Sequence, residues 1–460
     1  MKQQLKNTIK FFSSKFGLKT YNDILLAFIV ASSALTTGAI IFFAKEIRGT
    51  IGSYFALGFS EGLFLIALGT LTLVWGVIID YVQRRKLVLF ASLEIAGILV
   101  FLTSLATNAI EYAIYRTLTG IFLAVIVPFL VSLVSDVHGA GERIVMFMAL
   151  SMISTLGTAL GYAFSLILKG FVDWRTTLRI IAIFQLIASG VAFLIKEPTR
   201  GETEKYVKKL RLIKKELVLR ISRKDVLEVI RNKTNILLIL QGFFGSLPWG
   251  AFSIFFVHAI AEKMQTDMLF VSLFIAISNA SYLLAPRISQ IFDLIRQKGQ
   301  LDFLPISAGF LTLTYAALFQ ALININLPKI NVTDIQSFFI TLACSFVTSP
   351  EIFVFIIVSL IFPLISAQVG PIVNNIITDV NLPETRAFTR GLLTQIENIG
   401  RALGLIVCGL LIDKYNSFSR GLAIVSLSWF LSGIIWFFIV LTYRNDVEMI
   451  ELRIIRKIRS

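Results

Sequence analysis

The sequence predicts an all-α membrane protein of twelve transmembrane helices, arranged as two six-helix bundles related as repeats. Three observations lead there. The 460 residues are 56% hydrophobic and only 15% charged, with a mean hydropathy of +0.81; soluble domains average about 45–50% apolar and about 25% charged residues. The apolar residues come in blocks: "ILLAFIVASSALTTGAIIFF" (24–43) carries no charge and is long enough to cross a hydrocarbon core of roughly 30 Å as a helix. Finally, "GTALG" (157–161) returns as "GRALG" (400–404) inside a longer shared frame. Asp136 and Arg143 precede the first copy at the same spacings at which Asp379 and Arg386 precede the second. Four anchors in one register are the mark of an internal repeat.

The expected spans are 24–43, 54–79, 87–106, 112–135, 144–168, 176–195, 236–260, 268–285, 304–323, 351–378, 391–412 and 421–442. With a cytoplasmic N-terminus, 32 of the 43 Lys and Arg fall in cytoplasmic segments and 8 in outside loops. This is the positive-inside bias; it accounts for the net charge of +15 and argues against nucleic-acid binding. Both termini are expected in the cytoplasm, with the chain in a plasma or cytoplasmic membrane. The hydrophilic stretch 196–235 divides the spans six and six. The expected organisation is therefore a basic amphipathic segment (1–23), a bundle (24–195), an amphipathic cytoplasmic linker (196–235), a second bundle (236–442) and a basic tail (443–460). In the first segment Leu5, Ile9, Phe12 and Phe16 recur at helical spacing among lysines, which suits the surface of an anionic leaflet.

Several chemistries are excluded. No G-x-x-x-x-G-K-[ST] phosphate loop occurs, so an ATP-driven pump is disfavoured. The only histidines, His138 and His258, stand far apart, and the two cysteines, Cys344 and Cys408, imply no disulfide framework. No metal, no cofactor and no enzymatic activity are expected.

The loop after the second span reads "GVIIDYVQRRK", with Gly76, Asp80, Arg84, Arg85 and Lys86; the loop after the eighth, "SQIFDLIRQK", has Asp293 and Arg296. Both place an Asp at a helix end with cations about one turn later, so the halves share one in/out sense, a parallel repeat. Gly76-x-x-x-Asp80 with Arg84-Arg85-Lys86 resembles the loop 2–3 signature of the major facilitator superfamily, with Gln83 in place of its usual glycine. Arg116-x-x-x-Gly120, ending at Asp136, resembles the fourth-helix signature of that superfamily. "WR" (174–175), "EPTRGETE" (197–204) and "DVNLPETRAFTRG" (379–391) extend the resemblance, the last towards spinster-like and related solute carriers.

The resemblance implies the major facilitator fold and a secondary transporter working by alternating access. Its substrate would be a small organic or amphiphilic solute, with an anionic cargo and proton coupling left open; membrane lipids surround it, and a monomer is expected. Spinster-like carriers point to lysophospholipid or sphingoid-type amphiphiles. Drug–proton antiport is the weaker reading, because Tyr162 rather than proline follows Gly161. A channel or a non-transporting sensor is the alternative from another class.

In this fold the fifth and eleventh helices meet across the halves, so Gly157, Gly161, Gly400 and Gly404 are expected to form close contacts there, as small-xxx-small positions allow. Asp80, facing the start of the eleventh helix, with Gly76, Arg84, Arg85 and Asp136, and with Asp293, Arg296, Asp379 and Arg386 in the second half, forms the expected conformational latch. Charges inside spans cost about 2.5–3.5 kcal/mol near a helix centre on insertion scales, so Arg116 and Glu61 stand out, as does Glu94. Arg116 is the expected contact for an anion or carboxylate. Glu397 and Arg401, four apart, are expected to pair on one face. Helices one, four, seven and ten line the cavity in this superfamily, which adds Gln241, Trp249, Gln368 and Asn374 to the substrate site. Pro248 and Pro363 are expected to disturb their helices.

Overall fold

In the computed structural model the described residues are 20–198, 227–281, 302–330, 334–382 and 385–459, without positions 39, 139, 170, 228 and 280 and with Leu284 and Ile288 added. The expected latch residues Asp293 and Arg296, the side chains of Asp80 and Arg143, and most of the segments 1–23 and 196–235 lie outside this set. Among the described residues there are helices and no strands. The chain divides into two compact units, Met1–Val218 and Leu219–Ser460.

The first unit holds α1 (Tyr21–Gly38), α2 (Ala44–Ile51), α3 (Tyr54–Tyr81), α4 (Arg85–Leu105), α5 (Ala109–Leu123), α6 (Ile126–Val137), α7 (Ala140–Lys169) and α8 (Trp174–Phe193). Here α1 packs on α7 and α8, α3 on α5, and α4 on α8 and α5. The second unit holds α9 (Lys233–Met264), α10 (Met268–Asn279), α11 (Phe303–Asn324), α12 (Ile335–Thr348), α13 (Pro350–Ser366), α14 (Val369–Asp379), α15 (Arg386–Tyr415), α16 (Phe418–Ser426) and α17 (Ser428–Arg459). In it α9 packs on α15, α17 and α16, and α11 on α17 and α13.

Among the described residues nine segments are long and apolar enough to cross a membrane. The shortfall from twelve has local causes. Helix α1 begins with Asn22 and Asp23 and carries "SSALTT", and it stops at Gly38 rather than at 43. Helix α10 has only 12 described residues, and several side chains of the fifth span lie outside the described set. Two further helices occupy expected loops: α2, which buries Ala44, Ile47 and Ile51 beneath an exposed charged side, and α12. The residues 443–459, expected as a separate basic tail, continue α17.

Proline explains three details of the helices. Pro128 and Pro371 each lie just inside a helix that follows a turn, at 124–125 and 367–368. A proline ring clashes with the carbonyl four residues earlier, here at Ala124 and Ala367, so the fourth and tenth spans each divide in two. Pro248 instead sits inside the unbroken α9. The carbonyl it leaves without a helical donor, that of Phe244, accepts the Ser428 hydroxyl at 3.0 Å, and the next carbonyl, of Gly245, accepts the Trp429 indole N–H at 2.8 Å. Helix starts are closed by side chains: Ser53, Asn108, Asp173, Asn232, Asp334 and Ser417 each accept a backbone N–H of the first turn. Such caps are worth about 0.5–2 kcal/mol each.

Candidate functional site

In the first unit, Glu61 lies eight residues after its N-cap Ser53 and Arg116 eight after its N-cap Asn108. At 1.5 Å per residue both stand roughly 12 Å along their own helices. Gly120, one turn beyond Arg116, lets α5 close on α3: a Cβ there would sit 2.5 Å from the Phe64 carbonyl oxygen. The close approach brings the preceding turns together. Arg116 Nε donates to Glu61 Oε1 at 2.8 Å and Nη2 to Oε2 at 2.6 Å. Tyr112, one turn before Arg116, donates its hydroxyl to Glu61 Oε1 at 3.0 Å, and the guanidinium carbon lies 4.3 Å from the centre of the Phe64 ring. Arg116 is 1% and Glu61 5% exposed.

The group is buttressed from α8. Trp174 meets the Tyr112 ring edge-on at 6.4 Å, and Asp173 caps the helix that carries it. Hydrogen bonds from the Thr176 side chain and backbone hold the Asp173 carboxyl below the usual carboxylate range. A bidentate guanidinium–carboxylate pair is among the strongest charge-assisted contacts. Burial makes it neutral only as a unit: an unpaired partner would be an isolated charge in a low-dielectric interior.

Two more buried polar pairs lie at the opposite end of this bundle, where α1 and α4 begin and α6 ends. Arg85 Nη1 meets Asp136 Oδ2 at 2.6 Å and also bonds Ser132. Of the two latch arginines beside each other, Arg85 reaches Asp136, whereas Arg84 is exposed. His138 Nε2 meets Asp23 Oδ1 at 2.8 Å; sequence reasoning missed this pair, since 115 positions separate partners that had no shared motif. Asp23 also accepts the Thr20 backbone N–H at 2.8 Å. Glu94 accepts from Ser189 on α8. Nothing lies within 4 Å of a Cβ built on Gly76.

The glycine pairs are placed differently from expectation. A Cβ on Gly157 would lie 2.7 Å from the Ala31 carbonyl oxygen, and one on Gly161 2.5 Å from that of Leu35, both on α1. In the second unit a Cβ on Gly400 would lie 2.6 Å from the Phe243 oxygen, and one on Gly404 would overlap the Leu247 oxygen, both on α9. The contact expected across the halves is corrected: each glycine face is filled by the first long helix of its own unit, because that neighbour's backbone already occupies the space a side chain would need.

The remaining expected residues scatter in the second unit. Gln241 is buried and donates to Ser432 Oγ at 3.0 Å, tying α9 to α17. Gln368 is buried and donates to the Leu364 oxygen at 3.0 Å, within the turn between α13 and α14. Asn374 is exposed. Trp249 is half-buried among aromatic rings, with Trp429 at 5.3 Å, Phe252 at 5.5 Å and Phe362 at 5.9 Å. The expected Glu397–Arg401 pair is replaced: Glu397 meets Arg390 at 3.5 Å, two turns earlier, and Arg401 donates to Asn398 at 3.4 Å. Asp379 accepts the Tyr443 hydroxyl at 2.6 Å, and Arg386 donates to the Asn381 oxygen at 3.3 Å. Among the described residues no group of His, Cys, Asp and Glu could hold a metal.

The first unit also carries a concavity of about 440 Å³ between α1, α3, α5, α6 and α7. It is walled mostly by apolar side chains, with Ser33, Thr37 and Ser154 among them. The buried Ser33 hydroxyl has no partner among the described residues.

Long apolar helices with charges buried among them mark an integral membrane protein. The profile of the Major Facilitator Superfamily matches residues 26–332, and the chain belongs to that superfamily, a family of transporters and not of enzymes. It is 26% identical over 192 residues to an uncharacterized transporter of Buchnera aphidicola subsp. Acyrthosiphon pisum (strain APS), a stretch covering 41% of this chain and 46% of that protein. Solved structures share the fold at low identity. A bacterial homolog of the human lysosomal transporter Spinster, inward-facing and unoccupied, aligns with a TM-score of 0.70 at 14% identity, over 93% of this chain and 98% of that one. The nucleoside transporter NupG aligns at 0.64 and 13% over 93% and 99%. A D-xylose–proton symporter aligns at 0.61 and 13% over 90% and 96%.

Proposed function

We propose that this chain is a secondary active transporter that moves a small organic or amphiphilic anion by alternating access, with Arg116, Glu61 and Tyr112 as its coupling centre. The observation that carries the reading is the buried bidentate Arg116–Glu61 pair. An arginine inside the membrane must keep an anionic partner. A carboxylate or phosphate on the cargo can take that place only by displacing Glu61. The displaced carboxylate then gains a proton, so Arg116 with the bound anion and Glu61 as neutral acid leave the group without net charge. Release of the cargo reverses both steps. Transport of an organic anion is thereby linked to one proton.

An apolar portion of the cargo suits the concavity by Ser33. The basic loops favour an orientation with both termini in the cytoplasm, and the Arg85–Asp136 pair supports a latch at that end. A thermal-shift screen of metabolites and lipids with the purified chain identifies a ligand, and proteoliposomes loaded with it test coupling. Arg116→Gln is expected to abolish binding. Glu61→Gln is expected to keep binding and exchange but lose accumulation driven by a pH gradient. Undiminished pH-driven accumulation in Glu61→Gln would overturn the assignment.

A further inference from the structure

The second unit has a cavity of about 420 Å³ where α9 begins and α17 passes from its apolar run into the charged segment that follows. Its floor is a closed polar framework. Asp446 Oδ2 accepts the Thr234 backbone N–H at 2.9 Å. Asn235 and Asn381 exchange side-chain amide hydrogen bonds of 2.8 and 3.0 Å, and Thr389 donates to Asn381 Oδ1 at 3.0 Å. The rim is different. Arg231 and Lys233 line the cavity, are exposed, and make no side-chain hydrogen bond or ion pair with a described residue. On the α17 side the lining includes Leu441 and Met449, which are 72% and 49% exposed and belong to the outer surface of the unit. Cations at the mouth, fixed polar groups beneath and an apolar wall running outward form the arrangement that a lipid at a membrane surface presents in complement.

Charge selects among phosphate ligands. Arg231 and Lys233 against the buried Asp446 leave the lining with one net positive charge. A phosphodiester carries one negative charge, whereas a free phosphate carries about −1.5 to −2 near pH 7 and would meet the Asp446 carboxylate with its excess. The apolar wall adds acyl-chain contact that a free ion cannot use.

We propose that this cavity binds the headgroup of an acidic glycerophospholipid, with its phosphodiester on Arg231 and Lys233 and its first acyl carbons against Leu441 and Met449. Each cation near an anionic membrane surface contributes enough that losing both weakens binding roughly thirtyfold.

Native mass spectrometry of the purified full chain tests this, with phosphatidylglycerol, phosphatidylcholine and inorganic phosphate as probes. Phosphatidylglycerol is expected to be retained as a tight one-to-one adduct, about thirtyfold weaker in Arg231→Gln/Lys233→Gln and unchanged in Lys196→Gln, which removes an exposed cation from the other unit. Both altered side chains are exposed, so the double variant should keep the wild-type melting temperature without lipid. Equal phosphatidylglycerol affinity in the double variant would overturn the site. Equal retention of phosphatidylcholine would overturn the charge selection, and displacement by millimolar inorganic phosphate would assign the cavity to the free ion instead.

Discussion

In the first unit α1 and α7 close on each other at Gly157 and Gly161; in the second, α9 and α15 close at Gly400 and Gly404 with the same four-residue step. Around these similar seams the interiors differ. Among its described residues the first unit buries the ion pairs Arg85–Asp136 and Arg116–Glu61 and the hydrogen-bonded pair His138–Asp23. The second unit has the half-exposed pair Arg390–Glu397 and the exposed pair Arg444–Glu448. Its interior is instead a cluster of rings: Trp429 has Phe319 at 5.2 Å, Tyr315 at 5.1 Å and Phe362 at 5.9 Å. Buried charge pairs can change partner or protonation state, whereas packed rings hold one shape. The coupling proposed above draws on the charged interior of the first unit.

The largest expected effect breaks this contrast at its charged end. Arg116→Leu leaves Glu61 buried and unpaired and should lower stability by about 3–5 kcal/mol. Combining it with Glu61→Gln should restore most of that loss, read by thermal unfolding in detergent. A double variant no better than the single one would show that the arginine matters by shape and not by charge.

A comparable loss is expected at the aromatic end. Trp429→Ala removes a side chain with no exposed surface and the indole donor to Gly245, for about 3–5 kcal/mol. Its pH dependence of transport should stay that of the wild type, because no titratable group is lost. A shifted pH profile would blur the distinction between the units.

The glycine seams sharpen what the two halves share. Gly161→Leu and Gly404→Leu each force a side chain into a neighbouring backbone and should each cost at least about 1–3 kcal/mol. Gly76→Leu enters open space and should stay within about 0.5 kcal/mol. A similarly small effect is expected of Glu397→Gln: its partner Arg390 is 43% exposed, and such pairs contribute about 0–1 kcal/mol. Loss of transport in that variant at normal stability would return Glu397 to the substrate site.

Much of this was legible before the structure. Apolar blocks mark the long helices because the bilayer sets their length, and Arg116 and Glu61 stand out because charge inside a span is expensive. Their equal depth from Ser53 and Asn108 was readable, but not that the helices face each other. That depends on Gly120, whose value shows only with the Phe64 carbonyl beside it. The glycine seams illustrate the same limit: small residues at four-residue spacing announce a close neighbour without saying which helix it is. Asp23 and His138 meet only because the start of α1 lies beside the end of α6. Tyr112 reads as an ordinary aromatic until its hydroxyl is seen on Glu61.

The central claim is that an anion on Arg116 forces a proton onto Glu61. Its most direct test is proton uptake by the purified protein on adding the ligand from the thermal-shift screen, followed with a pH indicator in weakly buffered detergent solution. The account predicts uptake approaching one proton per bound ligand at a pH where Glu61 is ionised beforehand, and none in Glu61→Gln, which still binds. Binding without proton uptake in the wild type, or equal uptake in Glu61→Gln, would contradict it.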